Sequence, residues 1–377
     1  MSEKMSAREF ATAENQKKER SSNLELYRII VMLLIVAHHY VVNSGLTSDI
    51  GIIQTDPLSA KSIFLLIFGM WGKTGINCFV LITGYFMCKS NITIKKFLKL
   101  LLELMFYKLV IYFIFLISGY EPFSLKALIK AAVPFKSIAD NFTGCYLVFF
   151  LIIPFLNILI KNMNEKHHRM LIAVLFAVYV VLGSVPKFVI SFNYVTWYVV
   201  LYLASSYIRL YPNKFFESTR LSGFATLGCV LLSILSVLVM HYASVNIFNF
   251  ETTKAYFFVS DSNKILAFAT GVSSFLFFKN LKMKNSKFIN TVSGSTFGVL
   301  CIHANSDTMI NWLWKTVLNN VGAAQFDVYI LCVHAIKSVL AIFVVRVVID
   351  LIRIRVIEEP ALNYLSRKIP KIEQKIL

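Results

Sequence analysis

From Leu24 onward, polar residues are rare for about twenty positions, and the same kind of run recurs to the end of the chain. A bilayer's hydrocarbon core takes about 20 apolar residues of helix. Ten such runs are predicted: 24–44, 62–88, 97–119, 143–160, 169–186, 194–212, 222–244, 262–279, 293–314 and 326–352. The second is interrupted by Gly72, Lys73 and Gly75, which predicts a re-entrant piece followed by a short span. No repeat of solenoid period is seen. Residues 1–23 are polar and charged without periodicity and read as a disordered cytoplasmic tail. Residues 24–355 then form the membrane domain and 356–377 a basic cytoplasmic tail. No small-residue cleavage site follows the first run, so no removable signal peptide is expected.

Composition supports this reading. Of the 377 residues, 57% are hydrophobic and 15% charged, against about 45–50% and about 25% in soluble domains. The predicted fold class is an all-α, polytopic transmembrane bundle of about ten spans, with no room for a large soluble domain. The 38 Lys and Arg against 20 Asp and Glu give a net charge of +18. In a membrane protein such an excess marks basic cytoplasmic loops rather than nucleic-acid binding. With the N-terminus inside, 25 Lys and Arg fall in inside segments and 8 in outside segments, among them Lys126, Lys130 and Lys136. Both termini are therefore expected in the cytoplasm, in a multi-pass protein of the cytoplasmic membrane. The six cysteines, nearly all in apolar runs without C-x-x-C spacing, read as small buried hydrophobes.

Charged groups inside a span are costly, so each is a functional candidate. Arg28 and His39 are eleven residues apart in the first span. At 100° per residue they share one helix face, about 16.5 Å apart along the axis. Arg28 would sit near the cytosol and hold an anion, and His39 would lie deep and do acid–base chemistry. Glu25, one turn earlier, can pair with Arg28. The plainer alternative is that Arg28 snorkels to the interface and His39 makes a structural hydrogen bond. His38 faces about 100° away and reads as a spectator. Adjacent histidines do not form a metal site on a helix, and no metal is expected.

Further polar groups lie at membrane depth. Thr83-Gly84-Tyr85 has no Cβ at its centre, so backbone could approach a ligand there, or a neighbouring helix. Asn77 could line the same cavity. His303 is followed by Asn305 and Asp307, and is a substrate-site candidate or a structural hydrogen-bonding group. Trp197 and Tyr198 open the sixth span, where Trp197 either stacks on a sugar or anchors the interface. The doublet His167-His168 reads as a solvated loop. Phosphate loops, H-E-x-x-H and catalytic carboxylate pairs are absent.

The pair Arg28 and His39 resembles the first-helix motif of the membrane acyltransferase-3 family. Gly75-Ile-Asn-Cys-Phe-Val-Leu-Ile-Thr-Gly-Tyr-Phe86 is similar to the family's Phe-rich stretch ending in Ser-Gly-Phe or Ser-Gly-Tyr, with Thr83 in place of Ser. Tyr146 to Asn157 resembles its fourth-helix pattern, although Asn141 stands where Trp is expected. Trp197–Tyr202, Thr296–His303 and Glu359-Pro360 resemble later blocks, so the likeness spans about 340 residues. It implies about ten helices and transfer of an acyl group, usually acetyl from cytosolic acetyl-CoA, to a hydroxyl on an extracytoplasmic glycan. No bound cofactor is implied, since acyl-CoA is a substrate. Where the family often has two arginines at the start of the third span, this chain has Lys96 and Lys99, followed by Glu103. Two cations at i,i+3 share a face and could hold CoA phosphates without arginine's fork, or be ordinary cytoplasmic lysines. Under this reading His39 is the general base or a transient acyl carrier, and Arg28, Lys96 and Lys99 bind the donor. The alternatives are a transporter or flippase of lipid-linked saccharides, which calls for paired repeats that the sequence lacks, and a non-catalytic scaffold.

Overall fold

The computed structural model describes residues 20–90, 92–133, 142–186, 188, 190, 193–247 and 252–368. Most of the N-terminal tail, Lys136, Asn141, Lys187 and residues 369–377 lie outside the described residues. The described residues contain no β-strand. The helices used below are α1 (Ser22–Val42), α2 (Ala60–Gly69), α3 (Gly72–Met87), α4 (Ile94–Ile117), α5 (Leu125–Ala132), α6 (Phe142–Asn162), α7 (Glu165–Leu175), α8 (Tyr194–Leu210), α9 (Thr219–Asn246), α10 (Ile265–Asn280), α11 (Lys287–Gly294), α12 (Thr296–His303), α13 (Asp307–Asn311), α14 (Val328–Arg353) and α15 (Glu359–Lys368). Local sequence sets many of the starts. The side chains of Ser59, Thr93, Ser124, Asn164, Asn193, Ser218, Ser306 and Asp327 each accept a first-turn N–H.

Among the described residues, seven helical stretches are long and apolar enough to cross a membrane: Ser22–Val42, Ala60–Met87, Ile94–Ile117, Phe142–Asn162, Glu165–Ser184, Thr219–Asn246 and Val328–Tyr364. The spans expected at 194–212 and 262–279 are the shorter helices α8 and α10, of 17 and 16 residues. The span expected at 293–314 is discontinuous. It is divided into α11, α12, α13 and a π-helical turn, Trp312–Val317. Its second break follows His303, where Asn305 donates to the Cys301 carbonyl and Ser306 caps α13. Broken helix is tolerated at membrane depth where it lines a cavity, and this one does. The re-entrant piece expected in the second run is instead a pair of nearly continuous helices, α2 and α3.

Unlike a soluble protein, the fold is apolar on its outer surface and holds several polar and charged groups inside its core. α9 exposes Phe224, Leu227, Leu231, Leu235 and Val239, and α14 exposes Leu340, Val344, Val348 and Ile352. Glu25, Asn77, Glu103, His303 and Asp350 are buried. Polar groups facing the bundle interior and apolar ones facing outward suit a lipid surround.

α1 is the hub, touching α2, α3, α10, α11, α12 and α14. Its approach to α2 and α3 depends on three glycines. A Cβ on Gly69, Gly72 or Gly75 would come within 2.8, 2.2 or 2.7 Å of Val41, His38 or Ile35. Gly72 and Gly75, which interrupt the second hydrophobic run, are therefore part of its packing surface. The end of the N-terminal tail, residues 20–23, also packs on the bundle. Arg20 donates to the Asn290 carbonyl, and Asn23 to the carbonyls ending α10. At the other end, helix continues past residue 355 into α15.

Candidate active site

Two histidines from distant helices meet near the middle of the bundle. His303, at the C-terminus of α12, is completely buried, and its Nδ1 lies 2.6 Å from the Val299 carbonyl oxygen. A carbonyl only accepts, so that nitrogen carries the proton, and a neutral ring then keeps its lone pair on Nε2. His39 Nδ1 is 2.9 Å from this Nε2 and so must be the donor. The chain of two bonds fixes the tautomer of His39 and leaves Nε2 as its basic nitrogen.

His39 lines a cavity of about 280 Å³, together with Ile35, His38, Lys73, Lys108, Tyr194, Leu300 and Asn305. The cavity abuts two others. Phe142 and Leu300 form its shared wall with a cavity of about 190 Å³ lined by Arg20, Arg28, Met32, Thr83, Tyr146 and Ser293. Lys108, Ala304 and Asn305 are shared with a polar vestibule of about 510 Å³, to which α5 contributes Lys130 and the second helix break Ser306, Asp307 and Thr308. Along α1, Arg28 and Met32 face the first cavity, and Ile35 and His39 the second. The shared face expected from the eleven-residue spacing is therefore the wall that joins them.

Arg28 is held by Glu25 at 3.3 Å, and Glu25 accepts from Ser293 at 2.5 Å. Its guanidinium is partly exposed to the cavity beside Arg20. Thr83 shares a 2.8 Å hydrogen bond with Tyr146 on the cavity wall. Lys73 donates to the Tyr194 hydroxyl at 2.5 Å, and Lys108 to the Asn305 carbonyl at 3.1 Å.

Other expected site residues have structural partners. Trp197 is completely buried and donates to Asn77 Oδ1 at 2.8 Å, while Asn77 donates to the Ser262 carbonyl. Neither lines the three cavities, and Trp197 presents no face to a sugar or to an interface. Gly84 lies within α3, not in a turn, and faces α8. A Cβ there would meet Ser205 Oγ at 2.0 Å, so its smallness serves helix packing rather than ligand approach. Tyr85 accepts from Arg209 at 2.6 Å. Lys96 donates to Ser90. Lys99, itself exposed, is ion-paired with Glu358 at 2.7 Å, at the edge of a buried cluster where Arg353 binds Asp350, Glu358 and Glu103 at 2.8, 2.8 and 3.2 Å. That pairing takes Lys99 away from the cavity of Arg28. His303 sits behind His39 and not in the cavity wall, so it touches the site through His39 alone. His38 is not turned away from the site, since it shares the cavity, with Nδ1 bound to the Gly69 carbonyl. His168 is buried against the Leu203 carbonyl rather than solvated.

Three site cations escape the sequence reading. Lys73 and Lys108 are visible as charges inside spans, but nothing in their spacing assigns them to His39. Arg20 has no signal at all among the tail's cations.

The sequence profile of a family described as an acyltransferase domain, acyltransferase family 3, matches residues 21–349. No curated protein and no solved structure matches the chain.

Proposed function

The chain belongs to the membrane acyltransferase-3 family, and from that premise we propose that it moves an acetyl group from cytosolic acetyl-CoA to a hydroxyl of an extracytoplasmic glycan. The observation that carries the proposal is the tautomer-fixed His39, whose cavity lies between an arginine-lined cavity and a polar vestibule. With both termini in the cytoplasm, as the lysine and arginine bias favours, Arg20 and Arg28 face the donor side. Two guanidiniums suit phosphates better than lysines do, because each offers a planar fork of donors. The vestibule with Lys130 then opens to the acceptor side of the cytoplasmic membrane.

Chemistry at the centre needs one base. His39 Nε2 takes the acceptor hydroxyl's proton as that oxygen bonds to the thioester carbonyl carbon. Collapse of the tetrahedral adduct breaks the C–S bond, and the CoA sulfur leaves with the proton returned by His39. While His39 carries that proton, its Nδ1–H remains donated to neutral His303, which stabilises the imidazolium and holds the ring in place. His303 acts as a positioning residue.

Mass spectrometry of surface glycans tests this in cells with the wild-type protein, His39→Ala, or none. The expected result is an acetyl increment present only with the wild type. Altered glycan export without any acyl increment would instead support a flippase.

A further inference from the structure

The His39 cavity has more positive charge than the transfer of a neutral acetyl group to a neutral sugar requires. Lys73 and Lys108 both line it, and among the described residues no Asp or Glu does. Snorkelling does not account for them, because both ammonium groups are tied at the cavity, one to Tyr194 and the other to the Asn305 carbonyl. Lys73 is partly balanced by Asp261 at 3.9 Å. Lys108 forms no ion pair within 4.0 Å among the described residues. Lys108 shares the vestibule wall with another cation, Lys130, and with Glu121 and Asp307, but neither of these two acids lines the His39 cavity. Glu121 also accepts from Thr308.

An ammonium kept at membrane depth without a counter-charge is costly, and such groups mark substrate pathways. We infer that Lys73 and Lys108 form a subsite for an anionic group, a carboxylate carried by the substrate close to the atoms that react at His39. An ammonium has three N–H donors, and the Asn305 carbonyl occupies one of those on Lys108. The cavity's 280 Å³ lies near the lower end of small-ligand pockets, roughly 300–1,000 Å³. It fits one sugar ring or a short acyl chain with its carboxylate, not a lipid tail. The inference rests on the acyl-transfer reading and narrows it. The carboxylate has two possible sources, a dicarboxylic acyl group on the donor or a uronic-acid residue in the acceptor.

Equilibrium binding to the full-length protein in lipid nanodiscs tests the subsite without turnover. Succinyl-CoA is compared with acetyl-CoA, and glucuronate with glucose. One acidic probe is expected to bind about tenfold or more tightly than its neutral partner, the scale of one hydrogen bond to a charged group. Preference for succinyl-CoA identifies the acyl group as the source, and preference for glucuronate the acceptor. Lys108→Gln should abolish the preference and Lys108→Arg should keep it, with Lys73→Gln as a second variant if Lys108→Gln does not fold. Equal binding within both wild-type pairs overturns the subsite, as does a preference that survives both glutamine variants. Either failure leaves acyl transfer itself untouched, because that is read separately from His39-dependent surface acylation.

Discussion

His39 is set apart from the other histidines by its partner. Its Nδ1 is committed to His303, which is itself committed to Val299, so the free nitrogen is always Nε2. His39→Ala should lower acylation by about 10²–10⁴-fold, the usual cost of losing a general base, at equal protein level in the membrane. His38→Ala should be much milder, because although its Nδ1 is likewise tied to a carbonyl, that of Gly69, no second imidazole stands behind its ring. For His303→Leu the expectation is a lower turnover number with acyl-CoA affinity unchanged, since that residue meets the substrate only through His39. Rates at saturating donor, set against donor binding, separate the two effects. At the other end of α1, Arg28→Ala should weaken acyl-CoA binding more than Arg28→Lys, which keeps the charge and loses the fork. Equal affinity in all three forms would remove Arg28 from the donor site. Arg28 and His39 are legible in sequence because one helical period links them. His303 is 264 residues from His39, and no spacing rule pairs residues across that distance.

Helix packing explains several positions that first suggested chemistry. The stripe of Gly69, Gly72 and Gly75 lets α1 lie against α2 and α3, which sets where the His39 ring enters its cavity. Gly84 does the same between α3 and α8. Gly84→Ala should destabilise the protein by about 1–3 kcal/mol, the cost of overpacking. Adding Ser205→Ala should recover part of the loss, because Ser205 Oγ is the first atom that the new methyl meets. Thermal unfolding in detergent reads both variants. Arg353 ties α4 and α14 to the segment leading into α15 through Glu103, Asp350 and Glu358. Arg353→Ala should cost about 3–5 kcal/mol, as breaking a buried ion pair does, and lower the amount of folded protein. The long apolar helices are legible from hydrophobic runs alone. The break within the segment from Lys287 to Val317 is not, because Asn305, Ser306 and Asp307 fit polar groups on an unbroken span as well as a helix end, and the hydrogen bonds of Asn305 and Ser306 decide between the two. The same limit applies to Trp197, whose burial depends on Asn77, a partner 120 residues away.

At the scale of the whole molecule, the proposed function requires the bundle to bring a donor from one side of the membrane and an acceptor from the other to a single histidine. A cysteine placed at Lys130 should react with a membrane-impermeant reagent in intact cells, and one at Lys284 should not. The reverse pattern would turn the bundle over and place Arg28 on the outside. The central claim is best tested by a sided assay in proteoliposomes of known orientation. Labelled acetyl-CoA is supplied on the face of Arg28, and a surface-glycan fraction from cells lacking the protein on the face of Lys130. The wild-type protein is predicted to label the glycan, and His39→Ala to do so about a hundredfold or more slowly. Label that accumulates in His39→Ala at close to the wild-type rate, or that reaches the glycan only when both substrates share one face, would contradict this.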